Sequence, residues 1–411
     1  MRRVASFGTL VIALVLAPAA PAVAHAELRS SVPANGATLT EAPRQVVLRF
    51  TQDVETTFGS VRIFDAAARR VDDGRVAHAG GDRAAVVVAV PRLADGPYVV
   101  TWRVVSADAH TARGAITFHV GAAPAADSGA LARRLLAAGG ESAAAGALST
   151  TVRLVGFASL ALFVGGVWFL ALVWPAGRRP GRARRILVGA GTVALAATVA
   201  GIGLQGVTAA GLPPADAVRP TVLTGVLDTR FGRLSAARAV LLAAGLAYVL
   251  LRAARPAGGR RAAVVPLGLA VLATVSLSGH ASSGHLVPLA VAADVVHLAA
   301  ISAWLGGLVL VGSCVLRQET DAPAVVVRRF SAMAFAAVAA IIASGAFQAW
   351  RQVGSVDALT ATTYGRLLVA KLALFAALLA VAGVSRRAVH RRWGAALAVP
   401  GEPGTPSPVP L

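Results

Sequence analysis

The sequence predicts two unlike parts: a small all-β sandwich or barrel over residues 25–122, and an all-α polytopic membrane bundle over 150–393. Three observations carry this. Short β-branched and aromatic runs separated by turn residues fill the first part. Apolar segments of bilayer length, ~20 residues for a spanning helix, fill the second. Arginines gather between those segments, in "GRRPGRARR" (177–185), "RAARPAGGRR" (252–261) and "SRRAVHRR" (385–392), the positive-inside pattern of a multi-span protein.

In chain order, residues 1–24 form a signal peptide. Arg2 and Arg3 give a positive start, Phe7 to Ala17 an apolar core too short to span, and Ala22-Val23-Ala24 the small residues of a cleavage site. Cleavage after Ala24 makes His25 the N-terminus. Ala24-His25-Ala26 is also A-x-A, and cleavage there starts the chain at Glu27. Strand-like runs follow at 46–50, 60–64, 84–90, 98–105 and 115–120. In the fourth, Tyr98, Val100, Trp102 and Val104 share one face, while Thr101 and Arg103 share the other. With no helix or disulfide of its own, this part relies on sheet-on-sheet packing. Residues 123–149, rich in Ala, Gly and Ser, read as a linker with one short amphipathic turn around "LARRLLAAG".

Seven apolar segments then follow, at about 152–174, 186–210, 236–251, 262–279, 289–314, 330–350 and 366–384, the third short. With the first part exported, seven spans end inside, and the loops so placed in the cytoplasm hold most of the membrane part's arginines. The proline-rich tail 394–411 is read as disordered.

At 56% hydrophobic and 14% charged residues, the chain has a membrane protein's composition. The net charge of +20 is confined to those arginine runs and does not form a basic groove with stacking aromatics, so a nucleic-acid partner is excluded. The lone Cys314 excludes an intrachain disulfide and any CxxC site.

Among eight histidines, His110 stands out, because Asp108 lies two residues before it and both face one way in an extended chain. An N-terminal His25 adds an imidazole nitrogen and a free α-amine. Nitrogen donors in a tetragonal set, completed by a second imidazole and a carboxylate, suit Cu(II).

The stretches "HAELRSSVPANGATLTEAPRQVVLRFTQDVE" and "GPYVVTWRVVSADAHTARGAITFHV" resemble the CopC family of periplasmic copper-binding proteins. The resemblance implies a Greek-key β-sandwich or barrel that binds Cu(II) through His25, Asp108 and His110, which favours cleavage after Ala24. Where some members carry a glutamate, "RFTQDVE" has Gln52. Asp53 is the candidate substitute, but adjacent strand residues face opposite sides, so this requires a bulge or turn. The only methionines are Met1 and Met333, so the methionine-rich Cu(I) site of some members is missing.

The membrane part resembles the CopD family, the membrane partner of CopC, in a natural fusion. The resemblance rests on "SGHASSGH", "DVVHLAAISAWLGGL", the "SG" at 344–345 and "YGRLLVAKLALF". Asp294, His297, Ile301 and Trp304, at spacings of 3, 4 and 3, lie on one helical stripe. Ionisable groups inside a bilayer face the bundle interior. Lys371, the only lysine, also falls within a span, as a path residue or a partner of Asp294. His280 and His285 bracket "ASSG" in the loop placed outside, where they would receive copper.

The expected function is Cu(II) capture outside the membrane, then transfer through the lipid bilayer by way of His280, His285, Asp294 and His297, with import the direction the resemblance implies. Two other readings stand: a haem-binding electron-transfer bundle with axial histidines, and a copper-dependent oxidative enzyme. No ATP-binding loop or P-type aspartyl phosphorylation motif is present, and nothing in the sequence specifies an oligomeric state.

Overall fold

A computed structural model describes residues 26–57, 61–106, 111–121, 128–138, 143–174, 181–251, 263–316, 322–353, 357–362 and parts of 365–383. Among the described residues nine strands form two sheets. β1 (Leu28–Val32), β3 (Gln45–Phe50), β7 (Ala85–Ala89) and β6 (Val76–His78) make the first, in the order β1-β3-β7-β6. The second has the order β2-β9-β8-β4, from β2 (Ala37–Leu39), β9 (Thr111–Val120), β8 (Gly96–Ser106) and β4 (Val54–Glu55), with β5 (Val61–Phe64) also paired to β8.

Period-2 alternation builds the core between the sheets. Val46, Leu48 and Phe50 of β3 face Tyr98, Val100, Trp102 and Val104 of β8, all buried. Trp102 meets Phe50 edge-on at 6.3 Å, and Tyr98 stacks on Phe118 at 5.3 Å. Each such side chain contributes roughly 1.5–3 kcal/mol by leaving water.

Beyond the predicted runs lie β1, of five residues, and three very short strands. β2, β4 and β6 have three, two and three residues, too few to show a period. β2 runs parallel to β9, with Thr38 opposite the half-buried His119, so the sandwich is not wholly antiparallel.

The stretch read as a linker holds a helix, α1 (Ser128–Ala138), whose Leu131, Ala132 and Leu135 pack on Val99 and Ala115. The expectation of a sandwich without its own helix is thereby corrected. Val99, on the side of β8 turned from the core, is fully buried, and an apolar residue there requires a cover.

The second part is helical: α2 (Ala143–Trp168), α3 (Gly181–Ala210), α4 (Pro220–Leu227), α5 (Arg230–Leu251), α6 (Val264–Leu277), α7 (Val287–Leu310) and α8 (Ala322–Val353). α2 and α7 each continue into a π-helical turn, Phe169–Val173 and Val311–Val315. Among the described residues five helices are long and apolar enough to cross a membrane: Ala144–Val173, Gly181–Ala210, Arg230–Leu251, Val287–Val315 and Val325–Arg351. Val264–Leu277 and Leu368–Ala377 are shorter apolar helices. The third segment, expected to be short, is a full 22-residue helix. Its arginines hide its start in the sequence, but Arg238 is buried within it.

α2 and α7 cross at backbone contact. A Cβ on Gly165 would overlap the carbonyl oxygen of Ser302, and one on Gly306 would overlap the Gly165–Gly166 backbone. Small residues at such crossings let helices pack closely in a membrane.

Candidate functional site

His25, Asp108, His110 and Lys371 lie outside the described residues. Their neighbours are described. Thr51 N donates to Glu27 O at 2.9 Å, and Glu27 N donates to Thr51 Oγ1 at 3.1 Å. Val54 stands opposite Ser106, and Glu55 opposite Val105. A bend at 51–53 therefore ties together the chain leaving position 25 and the strand end leading to 107. Asp53 lies in this bend, outside any strand, which removes the objection from strand alternation. Its Oδ2 is 3.8 Å from Arg83 Nε, in a side chain 59% exposed, and Arg83 also donates to Glu55 Oε1 at 3.2 Å.

This end of the sandwich faces the helices. Arg103 Nη1 donates to Thr208 O at 3.5 Å, and a Cβ on Gly211, at φ +69°, would overlap that guanidinium. A cavity of about 200 Å³ lies between the parts, with Asp53, Glu55 and Ser106 on one side and Gln205, Thr229 and Arg230 on the other. Gln205 and Phe231 also line a second cavity, of about 360 Å³, which extends among the helices to Arg238, His280 and Asp294.

Beside that cavity α7 and α8 face each other along a polar ladder. His297 Nδ1 and Ser344 Oγ are 2.9 Å apart, and Ser344 Oγ donates to Ala340 O at 2.5 Å. With that proton committed, Ser344 accepts from His297 Nδ1, which leaves Nε2 as the acceptor of the ring. The imidazole lies over Gly345, where a Cβ would stand 3.4 Å from Cε1. One turn nearer the sandwich, Gln348 Nε2 donates to Asp294 Oδ1 at 3.3 Å. At the end of the ladder, Arg351 donates to three backbone carbonyls: His280 O at 2.7 Å, Ser283 O at 3.0 Å and His285 O at 3.3 Å. The exposed His285 ring also meets Trp350 edge-on at 6.4 Å.

Of the path residues expected from sequence, His280 and Asp294 thus share a cavity wall, His297 lies one turn from Asp294 on α7, and His285 sits on the loop above. No group of three or more His, Cys, Asp or Glu able to hold a metal occurs among the described residues. Trp304 packs edge-on against Phe375 at 6.2 Å. Ser344, Gln348, Arg351 and Arg238 were not anticipated as site residues. The 4-residue and 3-residue spacings of Ser344, Gln348 and Arg351 in an otherwise apolar segment were the available signal.

Three family models match the chain in order: a CopC domain at 28–121, a copper resistance protein D-like N-terminal domain at 144–287, and copper resistance protein D at 324–407. The copper transport protein CutJ of Bacillus subtilis (strain 168) is 29% identical over 390 residues, 91% of this chain and 70% of that protein. Copper resistance protein C of Pseudomonas syringae pv. tomato is 35% identical over 121 residues, 28% of this chain and 94% of that protein. The crystal structure of CopC from Methylosinus trichosporium OB3b is similar at 31% identity, over 23% of this chain and 93% of that one, with a TM-score of 0.22. A sandwich matching CopC, followed by apolar helices matching both parts of CopD, makes this a multi-pass membrane protein that belongs to the copper-resistance family as a CopC–CopD fusion.

Proposed function

We propose that this protein binds copper as Cu(II) on its sandwich, on the extracytoplasmic side, and passes it into the helical bundle for import in copper homeostasis. The mature chain begins at His25. Its imidazole and α-amine, with Asp108 and His110, hold the ion, and Asp53 is the candidate further ligand. One observation carries the reading: the described neighbours of His25 and of 107–110 are both bonded to the 51–54 segment, and that end of the sandwich faces the cavity leading to His280 and Asp294. Oxygen and nitrogen donors then continue inward to His297, whose Nδ1 pairs with Ser344 Oγ at 2.9 Å. A bonded partner on the other ring nitrogen fixes a ligating histidine's tautomer.

The test is copper accumulation in cells expressing matched membrane levels of each variant, beside Cu(II) affinity of the purified full chain. His297→Ala should abolish accumulation and leave Cu(II) affinity unchanged; His280→Ala with His285→Ala should give an intermediate loss. Wild-type accumulation by the His297 variant removes that residue from the path, and a Soret band lost in the same variant hands it to a haem reading. N-terminal sequencing that starts at Glu27 would falsify the ligand role of His25.

A further inference from the structure

Arg238 sits in the apolar segment of α5, 9% exposed, where an unpaired charge is costly. Among the described residues no carboxylate lies within ion-pair distance of it. Three of its five N–H groups are used: Nε donates to Thr274 Oγ1 at 3.0 Å, and Nη2 to Thr274 O and Ser278 Oγ, both at 2.9 Å. The two on Nη1 have no partner among the described residues. One turn earlier on the same face, Ser235 is 1% exposed and its Oγ has no hydrogen-bond partner. Both residues line the cavity of about 360 Å³.

The contrast with Arg351 is instructive. That guanidinium is equally buried but spends both Nη atoms on three carbonyls. Arg238 keeps one edge open to the cavity, beside an unsatisfied hydroxyl. The charged residues on the cavity wall are Arg153, Arg238 and Asp294, net positive with His280 neutral.

We propose that this cavity binds a small monovalent anion of the chloride class, held by Arg238 Nη1 and Ser235 Oγ. Arginine presents paired N–H donors suited to anions, and such bonds are strong where water is excluded. Two open N–H groups and one hydroxyl supply up to three donors. The bound anion would offset the buried positive charge and satisfy both orphaned groups together. This goes beyond the copper reading and does not depend on it.

The experiment measures radioactive chloride binding to the full chain in lipid nanodiscs, free of copper, with gluconate as the balancing anion. Wild type should show saturable binding, at one chloride per chain. Arg238→Gln should abolish it. Ser235→Ala should weaken it about tenfold, since one hydrogen bond to a charged group is lost. Ser235→Ala is also the variant that protects the test from misfolding, because removing an unsatisfied buried hydroxyl leaves stability unchanged or improved. Absence of saturable binding in wild type, or wild-type affinity in the Ser235 variant, overturns the proposal.

Discussion

The half of the helical bundle nearest the sandwich and the half farthest from it are built on opposite rules. In the near half, Arg238, Asp294, His297, Ser344, Gln348 and Arg351 bury polar groups around or beside a cavity. In the far half the two π-helical turns close an apolar cluster. There Phe169 meets Trp174 and Phe330 edge-on at 6.4 and 5.9 Å, with Leu310 and Val315 fully packed. Donor chemistry divides the same way: nitrogen and oxygen lie near the sandwich, while Cys314 and Met333, which hold the bundle's sulfur, belong to the far cluster. The difference teaches that burying polar groups in this fold is local. The polar ladder and its cavity lie toward the sandwich, and the far end, apart from the Trp168 Nε1 donation to Val264 O, is closed by apolar packing.

The largest effect expected concerns the crossing that joins the halves. Gly306→Val drives a side chain into the Gly165–Gly166 backbone, and overpacking of that kind costs more than ~3 kcal/mol where backbone must yield. The variant should give no monodisperse protein on size exclusion; normal yield would mean that the halves are not coupled there. Next, Arg351→Met leaves the carbonyls of His280, Ser283 and His285 without their donor, at ~1–3 kcal/mol. A lower thermal midpoint and at least a tenfold drop in copper accumulation should follow, with Cu(II) affinity of the full chain unchanged. Unaltered accumulation would show that the loop needs no support.

Asp72 tests the sandwich as a contrast. Burial acts to raise its carboxyl pKa, but bonds from Arg70 and from the backbone N–H groups of Ile63 and Gly74 outweigh burial and hold it below the usual carboxylate range. A folded pKa below the unfolded one gives stability that is present above about pH 4 and lost as pH falls through the folded value. Asp72→Asn should lower stability by ~1–3 kcal/mol at pH 7 and flatten the acid dependence of the near-ultraviolet signal. An unchanged acid profile would remove Asp72 from that role. The smallest effect expected is at Cys314, 4% exposed. Cys314→Ala should cost about 1 kcal/mol, and the native thiol should resist a membrane-permeant maleimide. Ser149→Cys, on the cavity wall, should react in that background. Rapid labelling of Cys314 would end the idea of a sealed far half.

The sequence showed one side of the near-half chemistry well. Asp294 and His297 stand out because charge and imidazole are rare in apolar segments, and the buried face of β8 follows from alternation alone. Their partners Ser344 and Gln348 are legible only when α7 is laid against α8, since single small or neutral polar residues are common in spanning helices. Arg230 and Arg233 placed the start of the third segment at 236 and so made that helix look short, and Arg238, two residues inside it, carried no motif that singled it out. The helix over Ser128–Ala138 was obscured by alanine and glycine content that also describes a linker. His25, Asp108, His110 and Lys371 remain readings of the sequence.

The glycine crossing of α2 and α7 acts as a fulcrum. From Gly165 toward the sandwich, α2 runs to Ser149 on the cavity wall, ~24 Å at 1.5 Å per residue; in the other direction it reaches Val173 in the sealed cluster after ~12 Å. Only backbone stands between the helices at Gly165 and Gly306, while beside that point Leu298, Ala299 and Ala303 of α7 pack on the cluster that holds Leu160 and Val164 of α2. The arms of α2 are unequal, about two to one, so a given change of angle at this contact would displace its cavity end about twice as far as its other end. An angular change between the two helices would therefore be felt most at the cavity, because of where Gly165 and Gly306 fall along them.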